Sequence, residues 1–250
     1  STDFLRVPTE GSFSKKFIME HFGKEAYAKP DLRNKTAFQI LANEKGNTPL
    51  ACQQIENLGF KHLDLNLGCP SKRVNQHLGG AYLLSDLKAL QKIIKNIREN
   101  FPHHFSVKMR IGYKDDSNFL NCIKLFESEG VDAITIHGRT RDQLYKGTAD
   151  WEYIKMASKA TSVPIIGNGD IWSVTDIENI FDYTNCHSIM LGRGALKTPW
   201  LAPLYKMKER YNKEELLEIR KKRIPLYFSS LKEEYAKRCS QDALILKRFK

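Results

Sequence analysis

The chain has 250 residues, 41% of them hydrophobic and 28% charged, which is enough for a full core and excludes a largely disordered protein. No apolar run approaches the roughly 20 residues needed to cross a bilayer, and the start STDFLRVPTEG lacks the order of a signal peptide. A cytoplasmic protein without a membrane segment is therefore expected. The net charge of +11 is uneven: fifteen basic against seven acidic residues fall between Lys197 and Lys250, a balance that suits a phosphate backbone or, more blandly, a solvated helical face. Cys52, Cys69, Cys122, Cys186 and Cys239 are scattered and form no CxxC pair, which argues against a disulfide framework and against a metal site.

Taken in order, TDFLRV alternates like a strand and Ser12 to Phe22 has helical spacing. After a turn region at Pro30 to Lys35, TAFQILA reads as a buried strand with Gln39 as its one polar interruption. Thr48 to Leu58 reads as a helix capped by Thr48, with Pro49 first inside it and Gly59 closing it. The alternating run Leu63, Leu65, Leu67 in HLDLNL breaks at Gly68-Cys69-Pro70 into a basic polar loop, and helical structure resumes from Gly79-Gly80, with Ser85 to Asn100 a helix capped by Ser85. Strand SVKMRIG, helix Asn118 to Glu129, strand DAITIHG, helix Trp151 to Ala160, strand VPIIGNGD, helix Ser173 to Tyr183 and strand HSIMLGRG follow.

Seven strands alternating with helices predict an α/β protein. A polar or glycine-rich motif follows strand after strand, as loops converging on one face of a (β/α)8 TIM barrel would require, whereas an open doubly wound sheet concentrates its ligand residues at one switch point. Seven strands leave the first barrel strand missing from the chain, and the sequence reads as clipped at its N-terminus. After Pro199 the alternation stops: Leu201 to Lys208, Lys213 to Arg223 and Leu226 to Arg238 read as three amphipathic helices, and DALILKRFK starts another. Residues 1–198 are thus expected to form the barrel and 199–250 an appended α-helical domain, itself cut short.

Several residues can carry chemistry. Lys108 and Arg110 share one strand face, where inward charge near a barrel mouth reads as ligand contact, or as an ion pair. His137 ends a strand and is followed by Arg139 and Arg141. GNGD (Gly167 to Asp170) and GRGAL (Gly192 to Leu196) are turns after the last two strands whose backbone N–H groups can surround a phosphate, with Arg193 adding a cation. The chain lacks GxGxxG and GxxxxGK[ST]. Cys69 is either a small buried hydrophobe or a reactive thiol among Ser71, Lys72 and Arg73; a thiol can donate a proton and cations favour thiolate, so acid and nucleophile both stay open.

DLNLGCPSKRVNQHLGGAYLL, followed in order by SVKMRIG, ITIHGRT, IIGNGDI and MLGRGAL, resembles the tRNA-dihydrouridine synthase family, and the loop SKRVNQHLGGA most resembles its bacterial C-type branch. The resemblance spans about Thr2 to Lys250. It implies an FMN-bearing (β/α)8 barrel followed by a helical tRNA-binding domain, NADPH as reductant, and a D-loop uridine as substrate, position 16 being that branch's target. It implies that Cys69 is the general acid and that Gln39 and Lys108 contact the flavin ring. His137, Asn168, Gly169, Asp170, Gly192 and Arg193 fall with the FMN loops, and Asn66 and Arg139 face flavin or substrate. The basic residues Lys221, Lys222 and Arg223 are expected to grip tRNA; a monomer and no metal are implied. The family's first strand, with its A-P-M-type flavin contact, is absent from the sequence. Two other readings stand beside this one: an FMN barrel oxidoreductase acting on a small molecule, of the dihydroorotate dehydrogenase kind, and a non-catalytic RNA-binding relic.

Overall fold

The computed structural model describes residues 4–14, 16, 18–19, 29–207 and 212–238. Its strands are β1 (Leu5–Arg6), β2 (Phe38–Leu41), β3 (His62–Leu67), β4 (His104–Arg110), β5 (Ala133–His137), β6 (Ile165–Asn168) and β7 (Ser188–Met190). Each pairs in parallel with the next in sequence, so the sheet order is β1 to β7 without a reversal. A doubly wound sheet reverses its winding at a switch point; one that never reverses is the wall of a barrel. The fold is of the (β/α)8 TIM-barrel type, with C-terminal helices following.

Helices connect the strands, and the longer ones bury an apolar face. Between β1 and β2 lies α1 (Pro30–Asn34), and between β2 and β3 lies α2 (Thr48–Asn57). The β3–β4 connection holds α3 (Lys72–Gln76), a 3-10 turn (Gly80–Ser85) and α4 (Leu87–Asn100). Then come α5 (Phe119–Ser128), α6 (Glu152–Ala160) and α7 (Val174–Thr184), each ahead of the next strand. In α4 the buried residues Leu90, Ile93, Ile94 and Ile97 recur at helical spacing and form the stripe that meets the core. In β3 the fully buried leucines, Leu63, Leu65 and Leu67, occupy one face and leave His62, Asp64 and Asn66 on the other.

The chain divides into two compact units. One takes the described residues up to Ile171 and from Thr175 to Gly192; the other takes Trp172–Val174 and the described residues from Arg193 onward. The second unit contains α8 (Arg193–Lys197), α9 (Leu201–Met207) and α10 (Lys213–Arg238). Within it, Leu201 and Leu204 are buried, and the Trp200 and Tyr227 rings meet edge to face at 5.7 Å.

Several local expectations need correcting. The Pro30 to Lys35 turn is the short helix α1, entered through Pro30, whose fixed φ suits a first helical turn. The cap of α2 is Asn47, whose side chain accepts the Leu50 N–H, and that of α4 is Asp86, which accepts the Ala89 N–H; Thr48 and Ser85 lie outside those roles. A polar residue one position away looks equivalent in sequence, but only the residue just outside the first helical turn has a side chain that reaches a free amide. The basic loop after Cys69 contains α3. Past Arg223 the helix does not stop: α10 runs through Pro225, because a proline removes one donor without preventing the turns on either side from closing. On α10, Leu217, Leu226 and Phe228 are 49%, 68% and 51% exposed. Residues 15, 17 and 20–22 of the Ser12 to Phe22 segment, all of DALILKRFK, and Cys239 lie outside the described residues.

Candidate functional site

The strand register stacks polar side chains in layers inside the barrel wall. Gln39, Asp64 and Ser106 are register partners in one layer; Asn66, Lys108 and Thr135 form the next; Arg110, His137 and Asn168 form the last, at the carboxyl ends of the strands. Aliphatic side chains usually fill such a barrel. Here the layers are joined by hydrogen bonds. His62 Nε2 bonds the Ser106 hydroxyl at 2.9 Å, Ser106 donates to Asp64 Oδ1 at 2.5 Å, and Gln39 Nε2 donates to Asp64 Oδ2 at 2.6 Å. Asn66 Nδ2 donates to Gln39 Oε1 at 2.8 Å.

Burial decides the protonation of these groups. It pushes the Asp64 carboxyl up, against the bonds from Ser106 and Gln39 and the charge of Lys108. The Lys108 ammonium is pushed down by burial more than Asp64 restores it, and Arg110 adds repulsion. A buried cation only partly met by an anion is a place where an added negative charge is favourable. His137 is pushed down to about 3 by burial and by Arg110, Lys108 and Arg139, so its imidazole is neutral at physiological pH. Arg139 Nη1 lies 3.3 Å from His137 Nε2, which must therefore accept and leave the proton on Nδ1.

Cys69 is half-buried on the loop that leaves β3, and three side chains hold that loop. Asn66 Oδ1 accepts the Gly68 and Cys69 N–H groups at 3.1 and 3.0 Å, an Asx-type turn. Asn75 Nδ2 donates to the Cys69 and Ser71 carbonyls, and its Oδ1 accepts from the Tyr82 N–H. Arg110 Nε donates to the Gly68 carbonyl, while Nη1 donates to the carbonyls of Thr140 and Leu144. Gly80, at φ +62°, lies so close to Cys69 and Val74 that a Cβ there would stand 3.3 Å from Cys69 Cβ and 2.9 Å from Val74 Cγ1. The glycine that looked like a helix start thus backs the cysteine.

The remaining residues expected at the site divide by what they touch. Arg139 is 2% exposed and reaches five acceptors: both oxygens of Asp170, the carbonyls of Lys146 and Gly147, and His137 Nε2. Its guanidinium is taken up by the protein, which makes it a support for His137 and Asp170. Asp170 also accepts the Ala149 N–H at 2.8 Å. Gly169, at φ +119°, leaves no room for a Cβ against His137 and Ala149. Asn168 Nδ2 donates to the Met190 carbonyl at 2.7 Å, bracing β7. Gly192 ends the first unit with open space around its Cα, and in the second unit Arg193 stacks over the Trp172 ring at 4.9 Å. Lys221, Lys222 and Arg223 are exposed on α10, and Lys221 pairs with Glu218 at 2.8 Å.

Sequence reasoning missed Asp64, Ser106, Asn75 and the loop-tying work of Arg110. The alternation that marked Leu63, Leu65 and Leu67 as buried equally marked His62, Asp64 and Asn66 as a polar row, so the first of these was open to detection. The sequence model of the dihydrouridine synthase (Dus) family matches residues 14–243. The chain belongs to the dihydrouridine synthase family. It is 36% identical over 173 residues to a tRNA-dihydrouridine(16) synthase of Neisseria meningitidis serogroup A, covering 68% of this chain and 52% of the relative. It is 41% identical over 142 residues to a tRNA-dihydrouridine(16) synthase of Cupriavidus necator, covering 56% and 44%. It is 34% identical over 211 residues to a tRNA-dihydrouridine(16) synthase of Pseudomonas syringae pv. tomato, covering 80% and 64%. The chain therefore spans about half the length of the curated relatives it matches. Among the described residues no cluster of His, Cys, Asp and Glu could hold a metal, and no helix is long and apolar enough to cross a membrane.

Proposed function

We propose that the protein is an FMN-dependent tRNA-dihydrouridine synthase that uses NADPH to reduce the C5–C6 double bond of a D-loop uridine, at position 16. The observation that carries this reading is the setting of Cys69: a half-buried thiol on a loop tied down by Asn66, Asn75 and Arg110, at the carboxyl end of the strand that neighbours Lys108. The residues fit a flavin, because the incompletely compensated Lys108 cation, flanked by the amides of Asn66 and Gln39, suits an electron-rich, negatively polarised ring. When bound, FMN reduced by NADPH supplies the hydride that uracil C6 receives. Cys69 then gives its proton to C5, because hydride addition leaves enolate-like charge to be quenched and a thiol can donate. His137, held neutral, donates a hydrogen bond through Nδ1 and transfers no proton.

Asn168, Gly169 and Asp170, with Gly192 and Arg193, are the residues we assign to the rest of FMN, and Arg139 serves that group by fixing Asp170. Lys221, Lys222 and Arg223 bind the tRNA backbone, which leaves the target base, drawn out of its stack, to enter the barrel mouth. The same reading has the protein act as a monomer in the cytoplasm, where tRNA is. The test is Cys69→Ala. It keeps flavin absorbance and NADPH oxidation while dihydrouridine formation on tRNA falls by about 100-fold or more. Full product formation by that variant, or a colourless wild-type preparation, rejects the assignment. Mapping dihydrouridine in tRNA from cells lacking the protein checks position 16.

A further inference from the structure

The polar interior of β2, β3 and β4 is more than a lining, because its hydrogen bonds have a direction. Asp64 is 5% exposed, and both its oxygens accept, Oδ1 from the Ser106 hydroxyl and Oδ2 from Gln39 Nε2. Gln39 must therefore turn its Nε2 towards Asp64 Oδ2, which turns its Oε1 towards Asn66. Asn66 must answer with Nδ2, and this leaves Asn66 Oδ1 facing the other way, where it accepts the Gly68 and Cys69 N–H groups. Flip either amide and a donor meets a donor at one link and an acceptor meets an acceptor at the next.

We infer that Asp64 is a positioning residue: its carboxylate sets the direction of a hydrogen-bond chain through Gln39 and Asn66 that holds the backbone of Cys69 at the barrel mouth. Asp64 touches neither substrate nor thiol. It acts through two amides, and Ser106 holds its other oxygen in place. The inference rests on the reading of Cys69 as the proton donor, but the chain itself is measurable without turnover.

The experiment compares Asp64→Leu with Asp64→Asn in the purified, flavin-loaded protein. Asparagine keeps an oxygen for Gln39 Nε2, and its Nδ2 can donate to the Ser106 hydroxyl, which rotates to donate to His62 instead. Leucine offers Gln39 nothing. Amide hydrogen exchange at Gly68 and Cys69, read by NMR, is expected to speed up about tenfold in Asp64→Leu, the effect of weakening one hydrogen bond in such a chain, and to stay near wild type in Asp64→Asn. In steady-state kinetics Asp64→Leu lowers kcat for tRNA reduction with KM for tRNA unchanged, and Asp64→Asn rescues kcat. Wild-type protection at Gly68 and Cys69 in folded Asp64→Leu overturns the inference, as does an Asp64→Asn variant as damaged as Asp64→Leu. Should Asp64→Leu fail to fold, Gln39→Met cuts the same chain one link nearer to Cys69 and must give the same faster exchange. If the wild type forms no dihydrouridine, the proposed function falls while the exchange comparison still decides the chain.

Discussion

The inner faces of β3 and β4 and the exposed face of α10 are both rich in polar and charged side chains, yet they use them in opposite ways. Along β3 and β4, Asp64 and Arg110 are buried and Lys108 half-buried, and the bonds that Asp64 accepts and Arg110 donates each have a defined direction and partner. Along α10, Lys221, Lys222 and Arg223 are exposed, and the ion pair of Lys221 is with Glu218 three residues away. Low local dielectric makes each buried contact sensitive to its geometry, whereas water screens the helix charges until a polyanion arrives. The lesson is that charge inside the barrel works by position, and charge on α10 works by sum.

This contrast can be broken at its strongest point first. Arg139→Met removes the buried guanidinium that pairs with Asp170 and bonds two backbone carbonyls and His137, so a loss of about 3–5 kcal/mol in chemical denaturation is expected. A loss under about 1 kcal/mol would mean that this cluster behaves like the surface. Next comes pH. His62 is pushed down to about 4 by burial and by His104, and His137 to about 3, while in the unfolded chain both titrate near 6.5. Between those values the unfolded state binds more protons, so stability rises with pH in that window and is lost as pH falls below about 6.5. The melting temperature of His137→Asn is expected to fall less steeply than that of wild type between pH 6.5 and 4; parallel curves would contradict a buried neutral imidazole.

On α10 the expectation reverses. Replacing Lys221, Lys222 and Arg223 together by Glu leaves the melting temperature in place but weakens tRNA binding and lowers the slope of log Kd against log salt by about two units. An unchanged slope moves the RNA surface elsewhere. Smallest of all, Glu218→Gln, which removes a fully solvated partner of Lys221, is expected to leave thermal melting indistinguishable from wild type.

Much of the fold was legible because period-2 and helical patterns reflect burial directly. The alternation at 62–67, the spacing of Leu90, Ile93, Ile94 and Ile97 in α4 and the glycines after the helices place the longer barrel elements within a residue or two, while the short helices α1, α3 and α8 were read as turns or loop. Boundaries failed where one polar residue imitates its neighbour, as Thr48 and Ser85 did beside Asn47 and Asp86, and where a proline looked like a stop inside α10. Of the candidate site, Gln39, Lys108 and His137 stood out in the sequence because a polar residue interrupting or ending an apolar strand is conspicuous, while Asn66 and Asn168 entered through the family resemblance.

What sequence alone determined, then, is the sequential βα alternation, the family motif around Cys69 and the basic excess after Lys197, all of which are properties of neighbours along the chain. Tertiary structure alone decided what each polar side chain does: that Arg139 is spent on Asp170, that Arg110 and Asn75 hold the cysteine loop, and that Gln39, Asp64 and Asn66 form one directed chain. The partners in those bonds lie up to 42 positions apart. Only the register of parallel strands brings them within 3 Å, and no local pattern encodes which way an amide must turn once it is there.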